Sequence, residues 1–337
     1  MKPVATLKDV AMELKLSVSA VSRVLNDKGK DIGLSDATIK KVLKTARGMG
    51  YKPHSQARAL RMGRTNIVGV CLILPPNSLS DFNFRLLSGI SRTLVEHSKL
   101  MLLYETEKPE EAMKAMKHFR ESRVDGIITT HRMNDEYINY VNNLIDEGMN
   151  VVTIDTPLPG IFKCPNVAGD NERGAFLATE YLIKKGHKKI AHLAHRTDRS
   201  SSGYKRFLGY RKALGSYKLP YSEKLVFDIE NIKNPYPAAE KISSLSELPE
   251  AVFAWNDTSA FTLQRALQKK SRLEIDIIGF DDREFVRFLE KPFPTVHYPR
   301  FEMGKRAVDV LLSGENRKKD LLITPHLVMN DDDEIKF

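Results

Sequence analysis

The sequence predicts two parts, a small all-α head and a larger α/β body that divides into two lobes. Three observations favour this fold class. Short helical patterns of apolar residues fill residues 1–52. Residues 66–337 alternate apolar runs with amphipathic stretches, and they do so in two similar series. The chain has 337 residues, which is enough for at least two domains at ~100–200 residues each.

The head begins with two helices that are separated by a very short turn. Thr6 and Asp9 form a pattern typical of a capping box, and the apolar stripe that follows is Leu7, Val10, Ala11 and Leu14. Ser17 caps a second helix, whose buried stripe is Val21, Val24 and Leu25 and which ends at Asn26 and Gly29. Ser35 caps a third helix that exits at Gly48 and Gly50. Two closely joined helices braced by a third predict a helix-turn-helix.

The second helix leaves a face of small residues and one arginine for a partner. On that face we place Val18, Ser19, Ser22 and Arg23. Small side chains let a helix enter a DNA major groove, where arginine bonds guanine and valine contacts a thymine methyl. The alternative is the solvated face of a three-helix bundle. Charge favours DNA, because residues 1–64 hold 14 basic and 5 acidic side chains, +9 of the chain's net +10.

Residues 53–65 read as a short helix and linker. Pro53 begins a helical pattern of about two turns, which is too short to be stable alone in water. Leu60 is apolar among Arg58, Arg61 and Arg64, and this pattern suits a wedge between base steps in the minor groove. The alternative is a flexible basic linker with an incidental leucine.

The body, residues 66–337, alternates strands and helices, which predicts parallel sheets covered on both faces. The predicted strands of the first series are Ile67–Leu74, Leu100–Tyr104, Val124–Thr129 and Val151–Asp155, and its helices are Phe82–His97, Pro109–Ser122 and Glu136–Glu147. The strands of the second series are Lys189–Ala194, Lys224–Phe227, Ala251–Trp255 and Ile275–Phe280. A helix, Phe301–Leu312, and a strand, Leu321–Val328, follow.

Proline-rich breaks at Thr156–Pro165 and Lys291–Thr295 mark the predicted passages between lobes. We therefore predict an N-lobe of about 66–157 and 295–318, and a C-lobe of about 158–292 and 319–337.

The predicted ligand site is the cleft between the lobes, because ligands of such sheets bind outside the carboxyl ends of the strands. The polar candidates are Asp155, Arg206, Asn256, Asp257 and Asp281, and those for a stacking ring are Phe82, Phe84 and Trp255. Carboxylates, an amide and an arginine suit vicinal hydroxyls, and a ring suits the apolar face of a sugar. Two alternatives stay open: Asp282, next to Asp281, caps a helix, and Trp255 belongs to the core.

Other classes of protein lack support in the sequence. The apolar run Ile67–Pro76 is shorter than the ~20 residues of a membrane span, and Lys8, Asp9 and Glu13 argue against a signal peptide. Two cysteines give no disulfide framework, so we expect a cytoplasmic protein. We interpret His187, His192 and His195 as surface or strand-end residues rather than metal ligands. No dinucleotide, P-loop or nucleophile-elbow motif occurs, so no cofactor and no catalysis are expected.

The arrangement resembles the lactose-repressor (LacI/GalR) family of bacterial transcription regulators. The segments that carry the resemblance lie in order along nearly the whole chain: TLKDVAMELKLSVSAVSRVLN (Thr6–Asn26), GYKPHSQARAL (Gly50–Leu60), YLIKKGHKKIAHLA (Tyr181–Ala194), WNDTSA (Trp255–Ala260) and IIGFDD (Ile277–Asp282). The resemblance implies a periplasmic-binding-protein-like body, a hinge helix within residues 53–65, and effector contacts at Asp155, Arg206, Asn256 and Asp281. The DNA-contact set is then Thr6, Ser17, Val18, Ser19, Ser22, Arg23, Asn26, His54, Ala57, Arg58 and Leu60.

Two features depart from the family pattern. Lys15 occupies a turn position where the family usually has a small residue, often glycine, so we expect mild strain there. The loop Asp27–Gly33 is longer than usual, which affects the placement of the third helix.

The resemblance implies a repressor that binds a palindromic operator in double-stranded DNA as a homodimer and responds to a small effector, which we expect to be a carbohydrate. A nucleobase or nucleoside is the alternative effector. Two other functions are compatible with parts of the sequence: a solute-binding receptor without DNA function, and an enzyme that uses Asp155, Asp257 and Asp281 on a metal-bound substrate. The enzyme is the weakest, because no base or nucleophile pattern accompanies the carboxylates.

Overall fold

The computed structural model describes residues 5–26, 28–51, 65–73, 81–106, 108–130, 134–155, 161–196, 201–231, 234–270, 275–314 and 320–329. The chain forms two compact units, Met1–Thr65 and Asn66–Phe337. Each unit is described by itself.

In the described part of the first unit the helices are α1 Leu7–Leu14, α2 Val18–Val24 and α3 Asp36–Gly48. The predicted capping box is confirmed, since the Asp9 amide donates to Thr6 Oγ1 at 3.3 Å and the Thr6 amide donates to the Asp9 carboxylate at 2.7 Å. Ser17 and Ser35 cap α2 and α3 as predicted. The buried apolar side chains of these helices are Val10, Ala11, Val21, Val24, Val42 and Ala46. The long loop before α3 includes a 3₁₀ turn, Lys30–Ile32.

The second unit contains two parallel sheets. In chain order its strands are β1 Ile67–Ile73, β2 Leu100–Thr106, β3 Gly126–Thr130, β4 Val151–Ile154, β5 Asn166–Gly169, β6 Ile190–Ala194, β7 Val226–Asp228, β8 Ala251–Ala254, β9 Asp276–Ile278, β10 Thr295–His297, β11 Asp320–Ile323 and β12 His326–Val328. Its helices are α4 Asp81–Glu96, α5 Pro109–Glu121, α6 Asp135–Asp146, α7 Asn171–Lys184, α8 Ser202–Ser216, α9 Tyr236–Ser243, α10 Asp257–Lys269 and α11 Arg300–Ser313.

The N-lobe is built on a six-stranded sheet with the order β11-β5-β4-β3-β1-β2. The C-lobe is built on a four-stranded sheet with the order β7-β6-β8-β9. Both sheets are parallel, as the alternation of strands and helices predicted. In the chain, β10 follows the strands of the C-lobe sheet and precedes α11, and it pairs with β12 in an antiparallel ribbon.

The sheet topology differs from two details of the predicted lobes. Strand β5 pairs with β4, so the N-lobe sheet extends past the boundary placed near residue 158. Strand β11 pairs with β5 in the same sheet, whereas the sequence predicts that residues after 319 belong to the C-lobe. The expected strand Leu321–Val328 is in fact two strands, because Pro325 lacks the amide that a continuous ladder needs.

Two glycines bring helices α4 and α11 into direct backbone contact. A Cβ on Gly89 would lie 2.1 Å from the carbonyl oxygen of Phe301, and a Cβ on Gly304 would lie 2.4 Å from that of Leu86. Any larger residue would force the helices apart. This contact fixes α4 within the N-lobe, one turn after Arg85, whose role is described below.

None of the helices in the described ranges is long and apolar enough to cross a membrane.

Candidate functional site

The exposed face of α2 contains three of the four residues predicted there. Val18, Ser19 and Arg23 are exposed, but Ser22 is buried, with 6% of its surface accessible. The placement of Ser22 on the outer face was therefore wrong. Its short side chain follows the buried Val21 by about 100° around the helix, close enough to the buried stripe to be covered.

The remaining predicted DNA contacts divide into two groups. Thr6 and Ser17 use their hydroxyl groups as helix caps, and the Asn26 side-chain amide donates to the carbonyl of Ser22 at 2.6 Å. His54, Ala57, Arg58 and Leu60 lie outside the described residues.

In the body, a buried arginine organises the predicted cleft site. Arg206, only 4% exposed, donates from Nη2 to Asp281 Oδ1 at 3.1 Å and from Nε to Asn171 Oδ1 at 2.9 Å. Its Nη1 donates to the carbonyl of Trp255. The guanidinium lies 3.6 Å from the centroid of the Phe280 ring. These contacts fix the orientation of the Arg206 side chain, so that its Nη2 faces Asp281.

Asp155, at the carboxyl end of β4, is held by two residues from the start of α11 and the chain before it. Tyr298 donates its hydroxyl to Asp155 Oδ1 at 2.6 Å, and Arg300 Nη1 lies 3.1 Å from Asp155 Oδ2. The Tyr298 hydroxyl also accepts from Asn171 Nδ2 at 3.1 Å. A continuous polar network therefore runs from Asp155 in the N-lobe to Arg206 and Asp281 in the C-lobe.

The network includes three residues that the sequence analysis missed: Asn171, Tyr298 and Arg300. Asn171 follows β5 by two residues, and Tyr298 and Arg300 follow β10 by one and three residues. Burial raises the pKa of Tyr298 well above its ordinary value, and the nearby Asp155 carboxylate raises it further. Its hydroxyl therefore keeps its proton and acts as a donor. Burial also raises the pKa of Asp281, although Arg206 and Arg300 oppose the effect.

The other predicted polar candidates have structural contacts. Asn256 caps α10 by accepting from the Ser259 amide at 2.8 Å. Asp257 is fully buried, where it accepts from the Thr295 hydroxyl at 2.6 Å and from the Arg283 amide at 2.7 Å. Burial, reinforced by the charge of Asp281, raises the pKa of Asp257 well above its ordinary value. Asp257 thus ties α10 to β10 rather than opening onto the cleft.

The candidate stacking rings are dispersed. Trp255 is 7% exposed and packs in the C-lobe core, with its ring centroid 4.9 Å from that of His195. The structure therefore agrees with the alternative that Trp255 belongs to the core. Phe84 is 62% exposed on α4. The side chain of Phe82 lies outside the described part of the chain.

Asp282 does not cap a helix, since the 3₁₀ turn that follows it, Glu284–Phe288, has no side-chain cap. Its Oδ2 lies 3.0 Å from Arg85 Nη1 and 2.8 Å from His297 Nδ1, and its Oδ1 lies 3.2 Å from Arg287 Nη2. Burial raises the pKa of Asp282, but the hydrogen bonds from His297 and Arg85 outweigh burial and leave this pKa lowered. Asp282 is therefore an ionised carboxylate with three basic neighbours.

The backbone at Asp281 and Asp282 is strained. Their φ angles are 106° and 52°, in the left-handed region that non-glycine residues rarely adopt. Strand β10 holds this turn, because the amides of Gly279 and Asp281 donate to the carbonyls of Pro294 and Val296 at 2.9 and 2.8 Å. Strain at a binding site persists only where the surrounding structure fixes it.

The three histidines considered as surface or strand-end residues have separate environments. His192 is instead fully buried, and its Nδ1 lies 2.9 Å from the carbonyl oxygen of Phe253. His187 contacts Asp276, and His195 contacts the carbonyl of Ile229. Over the described ranges, no group of His, Cys, Asp or Glu side chains is placed to hold a metal ion.

Comparison with known proteins identifies the family. A model described as "Periplasmic binding proteins and sugar binding domain of LacI family" matches residues 68–331, and "Bacterial regulatory proteins, lacI family" matches residues 6–54. The chain belongs to the LacI family. As a LacI-family protein it is a DNA-binding transcriptional repressor with effector-regulated activity, and not an enzyme.

Curated LacI-family relatives cover most of the chain. The "HTH-type transcriptional repressor PurR" of Vibrio atlanticus is 30% identical over 318 residues, 91% of each chain. The "Ribose operon repressor" of Escherichia coli is 30% identical over 318 residues, 91% of this chain and 92% of the relative.

Solved structures share the fold. The lac repressor dimer bound to operator and the anti-inducer ONPF aligns with a TM-score of 0.78 and 22% identity, covering 97% of this chain and 98% of that one. A complex of the transcriptional regulator CelR with cellobiose aligns with a TM-score of 0.65 and 24% identity, covering 96% and 98%.

Proposed function

We propose that this LacI-family repressor is a cytoplasmic homodimer whose two heads, residues 1–52, bind a palindromic operator. Residues 53–65, most of which lie outside the described residues, are the proposed hinge, and residues 66–337 bind the effector and form the dimer. The exposed Val18, Ser19 and Arg23 of α2 support base reading in the major groove, and the +9 charge of residues 1–64 supports phosphate binding. Two-fold symmetry of the dimer would match the symmetry of the operator.

The effector is a carbohydrate or carbohydrate derivative held by Asp155, Arg206 and Asp281. One observation carries this proposal: the polar network places a carboxylate at a strand end of each lobe, with the arginine beside one of them. Carboxylates that accept in pairs and a guanidinium that donates in pairs match the vicinal hydroxyls of a sugar. Similarity to the ribose operon repressor agrees with this class of ligand.

A nucleobase is the second candidate, and similarity to the PurR repressors favours it. Base recognition relies on a stacking ring, and of the candidate rings in the described residues Trp255 is packed in the core, which leaves the exposed Phe84 of α4. Sugar recognition can rest on the carboxylates and Arg206 alone, so the carbohydrate is preferred.

A thermal-shift panel tests the effector class. D-ribose, other pentoses and hexoses, and hypoxanthine are each added to the full-length protein and to the Asp281→Asn variant. A ligand at 100 times its Kd stabilises the protein by ~2.7 kcal/mol, so a true effector raises Tm clearly. We expect a sugar to raise the Tm of the wild type and to have little effect on Asp281→Asn.

The matched control is Asp135→Asn, which removes an exposed carboxylate from α6 and should leave the shift intact. A Tm increase with hypoxanthine and none with sugars would establish the nucleobase instead. An undiminished sugar response in Asp281→Asn would refute the assignment of the cleft residues.

A further inference from the structure

Two adjacent carboxylates on one strained turn point to arginines in different lobes. Asp281 pairs with Arg206 of the C-lobe, and Asp282 pairs with Arg85 of the N-lobe. We infer that the Arg85–Asp282 ion pair is an interlobe latch and that the turn at residues 279–282 couples this latch to the effector site. The inference rests on the proposed function for the effector site, but the latch itself is a property of the two lobes.

Arg85 is firmly part of the N-lobe. It lies on α4, whose next turns bury Leu86 and Ile90 in the core and contact α11 through Gly89. Asp282 follows β9 of the C-lobe sheet and is 6% exposed. The ion pair therefore joins two elements whose positions are set by different lobes. The Arg85 side chain is about one-quarter exposed, at 26%, so water screens this pair less than a surface pair.

The chain between the lobes also contacts the latch. His297, the last residue of β10, places Nδ1 2.8 Å from Asp282 Oδ2, the same oxygen that Arg85 contacts. The Asp282 amide donates to the hydroxyl of Thr295, at 3.3 Å, and Thr295 donates in turn to Asp257. Asp257 is therefore a positioning residue, because it holds the β10 threonine that supports the turn. Elements of both lobes and the connecting strand meet at one carboxylate.

This arrangement supplies what effector control requires. A ligand shifts an equilibrium between two lobe arrangements only if it interacts differently with each of them. A sugar that takes Asp281 or Arg206 as its partner must disturb the turn, and Asp282 is the next residue of that turn. The Arg85–Asp282 contact is made in the arrangement described here and is lost when the lobes separate. Effector binding and lobe position are therefore linked through two consecutive residues.

Distance measurement between spin labels tests the latch without an effector or DNA. Labels are attached through Lys117→Cys on α5 and Ser246→Cys after α9, which are both exposed. Cys71 and Cys164 are buried, and burial raises the pKa of each thiol to about 12, so they should resist labelling. We expect Arg85→Gln to shift and broaden the distance distribution of the full-length protein relative to the parent.

Arg287→Gln is the matched control. Arg287 also contacts Asp282, at 3.2 Å, but it belongs to the C-lobe, so its loss should leave the interlobe distance unchanged. Asp282→Asn should reproduce the effect of Arg85→Gln, which guards against a local folding defect in α4. Identical distributions for the parent, Arg85→Gln and Asp282→Asn would overturn the latch, as would an equal shift in Arg287→Gln.

The outcome is separable from that of the proposed function. Thermal shifts with D-ribose on the same variants report ligand binding, whereas the label distances report the lobes. A shifted distance in a protein that binds no sugar would support the latch and contradict the carbohydrate proposal. Sugar binding together with unaltered label distances in Arg85→Gln would support the carbohydrate proposal and contradict the latch.

Discussion

At the scale of single residues, His192 shows how burial controls protonation. It is wholly inaccessible, and its ring stacks on those of Phe253 and Tyr210 at centroid distances of 4.6 and 5.1 Å. Burial lowers the pKa of His192 to about 4, although the hydrogen bond with the Phe253 carbonyl opposes the effect. The folded protein therefore keeps this imidazole neutral in conditions where an unfolded chain would protonate it.

Acid should destabilise the wild type partly through His192. The unfolded histidine binds a proton below its ordinary pKa near 6.5, whereas the folded one does so only near 4. This stabilising contribution is complete above the ordinary value and decreases as the pH falls from about 6.5 to about 4. We expect the contribution of His192 to the free energy of unfolding to fall by roughly 2 kcal/mol between pH 7.5 and pH 5. His192→Gln should show a correspondingly weaker pH dependence in urea unfolding.

The control for this prediction is His118→Gln on the exposed side of α5, which should keep the wild-type pH dependence. A His192→Gln slope equal to that of the wild type would show that the buried histidine does not control the acid response.

Two residues of the proposed site, Asp155 and Asp281, could be predicted because they lie at strand ends. Asp155 and Asp281 follow apolar runs, and such positions converge at the edge of a parallel sheet. Asn171, Tyr298 and Arg85 gave no such signal, because each meets its partner across 35 to 197 residues of chain. Contacts of this kind depend on the three-dimensional arrangement of the lobes and β10. A local sequence pattern carries no information about that arrangement.

At the scale of elements, the turn between α1 and α2 places Lys15 in a backbone conformation that lysine disfavours. Lys15 has φ 53° and ψ 37°, the left-handed conformation, and its amide donates to the carbonyls of Ala11 and Met12. A side chain with a Cβ is disfavoured there, and glycine is not. The strain expected from the sequence at this position therefore has a definite backbone cause.

Lys15→Gly should stabilise the head by ~0.5–1 kcal/mol, because glycine removes the left-handed penalty. Hydrogen exchange of the α1 and α2 amides in the full-length protein would measure the gain as slower local opening. Lys8→Gly makes the same substitution inside α1, where glycine costs ~1 kcal/mol, and should speed exchange. Faster exchange in both variants would mean that a contact of the Lys15 side chain stabilises the head by more than the left-handed backbone conformation destabilises it.

Most elements were predictable because a cap or an apolar period marks them. Thr6, Ser17 and Ser35 each begin a helix where the sequence placed one. Strand β5, with the sequence NVAG, is too short and too poor in large apolar residues to give a strand signal. Its place between β4 and β11 follows from the assembled sheet, so the boundary between the lobes was misplaced.

At the scale of the whole molecule, charge separates the two parts of the chain. Residues 1–64 have a net charge of +9, and the other 273 residues have 39 basic and 38 acidic side chains, a net charge of +1. A polyanion should therefore bind the head, whereas the proposed effector site has a balanced set of charges in Asp155, Arg206, Asp281 and Arg300.

Salt should distinguish the two binding activities. A protein that neutralises six or more phosphates loses ~10³-fold or more in DNA affinity between 50 and 200 mM salt, because counterions are released. We expect such a loss for operator binding, measured by fluorescence anisotropy, and a change of less than about twofold for effector binding to the balanced, partly buried cleft. An effector affinity that falls as steeply as DNA affinity would indicate a charged ligand.

The position of β11 in the N-lobe sheet affects how the protein can fold during synthesis. A ribosome completes the C-lobe strands β6 to β9 before it reaches α11 and β11, which the N-lobe requires. Until then the edge of β5 is unpaired, and unpaired edges are sites of aggregation and chaperone binding. The C-lobe sheet, although it comes later in the sequence, is therefore the first that a nascent chain can complete. Slowed translation just before α11 should lengthen the exposure of the N-lobe.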